Sequence, residues 1–139
     1  MVSRPMDRAV PEDRAFRAAR GVVALTTADG SVICESCIVA DRMLPRMKGL
    51  LGRRDLASGE GMLIRPTSSI HTFFMRFPID AVFLSRDGEV LKVAKNVGAW
   101  RARFCGRAHS VLELPAGEAA RRDIAPGARL ETRKLAPAL

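Results

Sequence analysis

An apolar segment spanning residues 69–80 carries the most unusual choice of side chains in the chain, because it holds His71, Arg76 and Asp80. Ionisable groups inside an apolar strand need a partner or a pocket. Glu113, which stands between two leucines, has the same requirement. A histidine and carboxylates that share a pocket can bind a polar ligand or exchange protons, so these residues are the first candidates for chemistry.

A functional interpretation places these side chains at the mouth of a small barrel, with Arg65 or Arg76 as the neighbouring cation. There they would bind a small polar ligand, or an enzyme would use His71 with Asp80 or Glu113 as the orienting carboxylate. No catalytic residue is assigned, because the chain has no Ser-His-Asp order, no glycine-rich phosphate loop and no HExxH motif. The candidate ligand pocket consists of His71, Met75, Arg76, Asp80 and Glu113.

A structural interpretation assigns the same residues to folding. Asp80 and Glu113 would lock loops by accepting hydrogen bonds from backbone amides, while Met75 would fill the core. A carboxylate two residues after a proline commonly captures turn amides, which favours this role for Asp80. For His71 the two roles are balanced, because a lone histidine in an apolar strand is often a satisfied core group but polar residues flank this one. We therefore put a binding or accessory module first and an enzyme second.

Cys34 and Cys37 have the CxxC spacing of redox and metal sites, and Cys105 follows much later. The residues around the pair are typical of a strand, whereas a redox motif needs the start of a helix to lower the thiol pKa. Positions three apart on a strand point to opposite faces, so we expect the two sulfurs not to converge. The sequence thus predicts reduced thiols, no metal site and no cofactor.

Basic residues outnumber acidic ones by 23 to 15, which gives a formal net charge of +8. They cluster between Asp41 and Arg54 and between Arg101 and Arg107, and clustered cations can bind nucleic acid. The chain has one Trp and no Tyr, however, and we identify no run in which aromatic residues alternate with basic ones to stack bases. We therefore favour a solvated basic face. Nucleic acid is disfavoured but not excluded, and a small molecule or a protein segment stays open as the partner.

Turn signals predict the fold class. Two pairs of β-prone runs are joined by Asp29–Gly30 and by Asp87–Gly88, a dipeptide that accepts the positive φ of a hairpin turn. Between them, apolar residues at helical spacing predict a short helix over residues 44–51. The other strands are short and bounded by Gly and Pro. The sequence therefore predicts a mostly β (α+β) fold, a small antiparallel barrel-like or curled sheet with one or two short helices.

The 139 residues are 47% hydrophobic and 27% charged, a composition that excludes disordered, collagenous and disulfide-dense classes. Residues 1–20 are expected to form a basic extension of low order, with a short helix at Glu12 to Arg20 as the alternative, and residues 21–135 a single domain. No apolar run approaches the roughly 20 residues of a membrane span. The N-terminus lacks the apolar centre of a signal peptide, so we expect the cytoplasm. The oligomeric state is not specified.

Four motifs together give the chain a family resemblance. They are Met47-Lys-Gly-Leu-Leu-Gly-Arg53, Gly59-Glu-Gly-Met-Leu-Ile64, Ser69-Ile-His-Thr-Phe-Phe-Met-Arg-Phe-Pro-Ile-Asp80 and Leu112-Glu-Leu-Pro-Ala-Gly117. In this order and spacing, the chain resembles the bacterial and archaeal family called domain of unknown function 192, from about Val23 to Arg133. The resemblance implies a compact, mostly antiparallel β domain and supplies no activity.

Overall fold

The computed structural model of the protein describes residues 15–40 and 55–135. Three predictions fall outside these ranges: the structure of the extension up to residue 14, the helix over residues 44–51 and the basic cluster between Asp41 and Arg54. Within the described ranges, no helix has the length and apolar character needed to cross a bilayer.

The described ranges contain nine strands and two short helices, which confirms the mostly β class. A helical turn over residues 15–18, α1, comes first. The remaining elements are β1 (Gly21–Thr27), β2 (Val32–Ala40), β3 (Glu60–Ile64), β4 (Ser69–His71), β5 (Ile79–Leu84), β6 (Val90–Val97), β7 (Ala102–Phe104), β8 (Ser110–Pro115), α2 (Glu118–Arg121) and β9 (Leu130–Lys134).

Seven strands form one sheet in the order β6-β5-β8-β3-β2-β1-β9, and β4 pairs with β7 in a separate ribbon. The large sheet curls until its two edges meet at one end. There the amide of Val90 donates to the carbonyl of Ala128 at 2.7 Å, and the amide of Leu130 donates to the carbonyl of Gly88 at 2.8 Å. The sheet is therefore curled, as predicted, without closing along its whole edge into a barrel.

One strand pair differs from the expected antiparallel pattern, because β2 and β3 run parallel. A parallel pair needs a crossover long enough to bring the chain back to the same end of the sheet. Residues 41–59 supply that length here. The two Asp-Gly turns do join antiparallel hairpins, β1 with β2 and β5 with β6, and Gly30 and Gly88 have φ values of 91° and 94°.

At the centre of the curled sheet both faces are buried, which explains why all six residues of β5 are inaccessible. The first core lies inside the curl and includes Phe16 from α1, with Leu25, Leu63 and Leu112 from the sheet. The second core lies on the opposite face, where the segment following β4 covers it. Its members include Met62, Ile70, Met75, Phe77, Phe83 and Val111.

The two cysteines of the CxxC motif point to the same side of the sheet, whereas we predicted that they point to opposite faces. Val23 pairs with Cys37 and Leu25 pairs with Cys34, so a step of three residues along β2 lies opposite a step of two residues along β1. This β-bulge turns both thiols into the first core, where both are fully buried. A hydrogen bond between the thiols lowers the pKa of Cys34 and, together with burial, raises the pKa of Cys37 well above its usual value.

The Cys34–Cys37 pair is reduced, and the described residues contain no group of three or more His, Cys, Asp or Glu side chains placed to hold a metal ion. Burial restricts reagent access, so we predict that iodoacetamide alkylates half-buried Cys105 in the native protein and leaves Cys34 and Cys37 unmodified until urea unfolds the chain. Peptide mass spectrometry reads the three sites separately. Native labelling of Cys34 at the rate of Cys105 would contradict the buried placement.

Candidate functional site

Asp80 lies in the centre of the large sheet and is completely inaccessible to solvent. Its carboxylate accepts three backbone hydrogen bonds: from the amide of Asn96 at 2.8 Å, from that of Gly117 at 3.0 Å and from that of Ala119 at 2.9 Å. These donors belong to the end of β6 and to the start of α2. The structure therefore agrees with the structural interpretation, in which Asp80 captures turn amides.

Glu113 is also fully buried, but it points away from Asp80. In the pairing of β5 with β8, Asp80 lies opposite Leu114 and Ala81 lies opposite Glu113. Paired residues share a face and neighbours along a strand alternate, so the two carboxylates point to opposite faces of the sheet. Asp80 belongs to the face of the first core and Glu113 to that of the second. The fold thus separates Asp80 from Glu113, the two carboxylates that the enzyme hypothesis considers as the group that orients His71.

The other three residues of the candidate pocket lie in or after β4. Met75 is only 6% exposed and belongs to the second core. His71 is half-buried at the end of β4, and Arg76 is exposed in the loop that leads to β5. Of the five predicted residues, His71 and Arg76 are therefore the two that reach solvent, and they lie on the side of the molecule that the β4–β7 ribbon occupies.

A row of four rings lies on this side of the molecule, and we call it the aromatic face: His71, Phe73, Trp100 and Phe74. Ring centroids are 4.7 Å apart between His71 and Phe73, 5.5 Å between Phe73 and Trp100, and 4.6 Å between Trp100 and Phe74. Phe73, Phe74 and Trp100 are 40%, 63% and 56% exposed. Contiguous exposed rings of this kind mark interaction surfaces rather than core.

The backbone at two of these rings is strained. Phe74 and Trp100 have φ values of 68° and 61°, a left-handed conformation that costs a bulky residue about 1–2 kcal/mol. Buried Thr72 holds both loops in place: its hydroxyl donates to the carbonyl of Gly98 at 2.6 Å, and the amide of Arg101 donates to that hydroxyl at 2.9 Å. The amide of Trp100 also donates to the Thr72 carbonyl at 3.1 Å. These bonds fix the outward position of the rings.

The two chain segments that build the aromatic face are strongly cationic. Residues 67–79 and 90–108 contain six Lys and Arg residues and no Asp or Glu. Lys92 lies beside the exposed ring of Phe104, with its ammonium nitrogen 5.8 Å from the ring centroid. Arg101 and Arg103 lie between Trp100 and Phe104 along the chain. An anionic partner is therefore favoured at this surface, because it meets cations without an opposing carboxylate from the same segments.

Phe74, Trp100 and Phe104 are not among the site residues predicted from the sequence. The signal was present in Trp-Arg-Ala-Arg-Phe at residues 100–104, which does interleave aromatic with basic residues. The second aromatic and basic tract is Phe-Phe-Met-Arg at residues 73–76, and the whole β5–β6 hairpin separates it from the first tract along the chain. Pairing of Ser69, Ile70 and His71 with Phe104, Arg103 and Ala102 brings the two tracts together.

The three amide contacts of Asp80 predict a large loss of stability on substitution. Asp80→Asn keeps the shape but replaces one acceptor oxygen by an NH2 group, so at least one buried amide loses its partner. We expect the free energy of unfolding to fall by about 2 kcal/mol or more in urea denaturation. Asp123→Asn is the matched control, since exposed Asp123 has a φ of 55°, which asparagine accepts readily. Equal stability of the two variants would contradict the assignment.

Comparisons with known proteins place this domain among proteins of unestablished function. A search of curated proteins gives no match. A crystal structure of a "putative transcription regulator" from Sinorhizobium meliloti 1021 is similar, with 28% identity, a TM-score of 0.70 and coverage of 82% of this chain and 94% of that one. A protein of unknown function from Novosphingobium aromaticivorans DSM 12444 is similar too, with 26% identity, a TM-score of 0.67 and coverage of 84% and 96%.

The family resemblance of the four motifs is confirmed by a match over most of the domain. The model of the family DUF192, described as "Uncharacterized ACR", matches residues 24–132. This range runs from β1 to β9 and includes the Asp80 contacts and the aromatic face. The chain belongs to the domain of unknown function 192 family.

Proposed function

We propose that this protein is a non-enzymatic binding module that binds single-stranded nucleic acid through the aromatic face. The observation that carries the proposal is the row formed by His71, Phe73, Trp100 and Phe74, in which rings touch one another and three of the four are exposed. The sequence alone disfavours nucleic acid. The pairing of β4 with β7 changes that balance, because it joins two aromatic and basic tracts.

Stacking explains why the rings would stay outside. An exposed aromatic surface is unfavourable in water, whereas each base that stacks on such a ring contributes about 1–3 kcal/mol. The left-handed backbone at Phe74 and Trp100 adds a cost that folding alone does not require. Strain of this kind concentrates where a binding surface is held ready for its ligand. Unpaired bases present the flat, apolar faces that such a row of rings accepts.

Charge explains why the partner would be anionic. Residues 67–79 and 90–108, the segments that carry the rings, contain six cations and no carboxylate. Exposed Arg101 directly follows Trp100, and exposed Arg76 comes two residues after Phe74. Backbone phosphates would take these guanidinium groups as partners while the bases stack. The description of the similar Sinorhizobium meliloti protein as a "putative transcription regulator" is consistent with a nucleic-acid partner.

The enzyme alternative has less support in the geometry. Asp80 already accepts three amide hydrogen bonds, and Glu113 is buried on the opposite face of the sheet from it. His71 contacts the ring of Phe73 and takes part in the aromatic face. A histidine in that position can stack on a base or donate a hydrogen bond to a phosphate, which assigns it to binding.

The test separates binding from stability. In Phe74→Gly and Trp100→Gly the ring is removed and the left-handed backbone becomes unstrained, so the free energy of unfolding should be equal to or higher than that of the natural protein. Affinity for a labelled oligothymidine should fall at least about fivefold, the lower end of a stacking contribution. Fluorescence anisotropy at low salt measures the affinity, and thermal denaturation measures the stability.

Leu135→Ala is the control for loss of exposed apolar surface, since Leu135 is 45% exposed and lies outside the aromatic face. It should bind like the natural protein, and binding should weaken steeply as salt rises. Vesicles containing an anionic lipid test the other anionic partner. Oligothymidine affinity unchanged by both glycine variants would refute the proposal, and so would binding to the vesicles without binding to the oligonucleotide.

A further inference from the structure

We propose a second binding site, for a small organic phosphate, in a cleft on a part of the molecule that the aromatic face does not include. This cationic cleft has a volume of about 510 Å3 and is lined by Phe16, Arg17, Arg20, Arg65, Pro66, Arg86 and His109. None of these residues belongs to the aromatic face. The inference is independent of the proposed function and goes beyond it.

Four separate parts of the fold converge on the cationic cleft. Arg17 belongs to α1, Arg65 follows β3, Arg86 stands in the Asp-Gly turn between β5 and β6, and His109 precedes β8. These elements are far apart in the chain, so their shared positive charge does not come from one basic stretch of sequence. The described part of the lining comprises four guanidinium groups and one imidazole without a carboxylate. This excess of positive charge among the described lining residues favours an anionic ligand.

Some of this charge already has a structural role, which shows where a ligand would bind. Arg65 is buried, and its guanidinium donates to the carbonyls of Phe16 and Ala19 at the end of α1. Arg17 forms an ion pair with Asp87 at 3.4 Å. Arg86 is exposed, and no carboxylate of the described residues forms an ion pair with it. The geometry therefore assigns Arg86 as the principal ligand-binding guanidinium.

His109 is held rigidly at the wall of the cleft. Its amide donates to the Leu84 carbonyl at 2.8 Å, and its carbonyl accepts from the Thr67 amide at 2.9 Å. Desolvation, followed by the positive charges of Arg86 and Arg65, lowers the pKa of His109 below its usual range. A bound dianion would offset both guanidinium charges and raise the pKa of His109 again, so the imidazole reports on occupancy.

Shape and chemistry together select a phosphate ester over a bare ion. Guanidinium groups bind phosphate oxygens in a planar, bidentate manner that suits a dianion. The cleft lies within the usual range of small-molecule sites, roughly 300–1,000 Å3, and is larger than one phosphate needs. Exposed Pro66 supplies an apolar wall for an organic portion. A sugar phosphate fits this combination, because it joins a dianion to a compact body.

The experiment titrates the full-length protein with inorganic phosphate and with ribose 5-phosphate, which carries no base to stack on the aromatic face. NMR of the two histidine rings follows the pKa of each. We expect ribose 5-phosphate to raise the pKa of His109 in a saturable way and to leave that of His71 unchanged. Arg86→Gln should weaken calorimetric binding at least about fivefold, whereas Arg133→Gln, an exposed arginine on β9, should not.

Each outcome decides the proposal. Tighter binding of ribose 5-phosphate than of inorganic phosphate supports the organic phosphate site. Equal binding of the two probes would overturn the organic part of the ligand. No saturable change at His109, or equal losses in Arg86→Gln and Arg133→Gln, would overturn the site. Thermal denaturation of both variants confirms that they are folded, which is expected since both side chains are exposed.

Discussion

The carboxylate of Asp80 is the contact on which the geometry of the molecule depends. It is a buried charged group whose position in β5 joins the end of β6 to the start of α2 through three amide donors. Asn96, one of these donors, has a left-handed φ of 52° and lies four residues before Trp100. Burying a carboxylate is costly unless donors surround it, so the chain around Asp80 has little freedom to move. The loop that carries Trp100 of the aromatic face begins from this fixed point.

A second constraint acts between the two loops of the aromatic face. Thr72 binds the loop that contains Trp100 through its hydroxyl and through its backbone. This network offsets the local free-energy cost of the left-handed backbone at Phe74 and Trp100. If folding were the only requirement, glycine at these two positions would avoid that cost. Keeping the rings outside therefore lowers the stability of the folded state. Such a loss is typical of surfaces that act on a partner, and it connects the strain in the backbone to the proposed binding function.

Local chemistry made part of this structure predictable. The Asp-Gly turns indicated both hairpins, and the Pro78-x-Asp80 corner indicated a carboxylate that captures amides. Contacts between distant residues could not be predicted in the same way. Strands β4 and β7 have three residues each, too few for a periodic pattern, and their pairing alone brings Phe73 to Trp100. The bulge that turns Cys34 and Cys37 to one face depends on the register with β1, which the composition of β2 does not reveal.

The emission of Trp100 tests the central claim most directly. The chain contains one Trp and no Tyr, so its intrinsic fluorescence comes from the aromatic face itself. Titration with unlabelled oligothymidine at low salt should quench this emission to a plateau, since a base stacked on the indole ring quenches it, and added salt should restore it. Binding of the oligonucleotide in a parallel anisotropy experiment without a change in Trp100 emission would contradict the account, as would the absence of any binding.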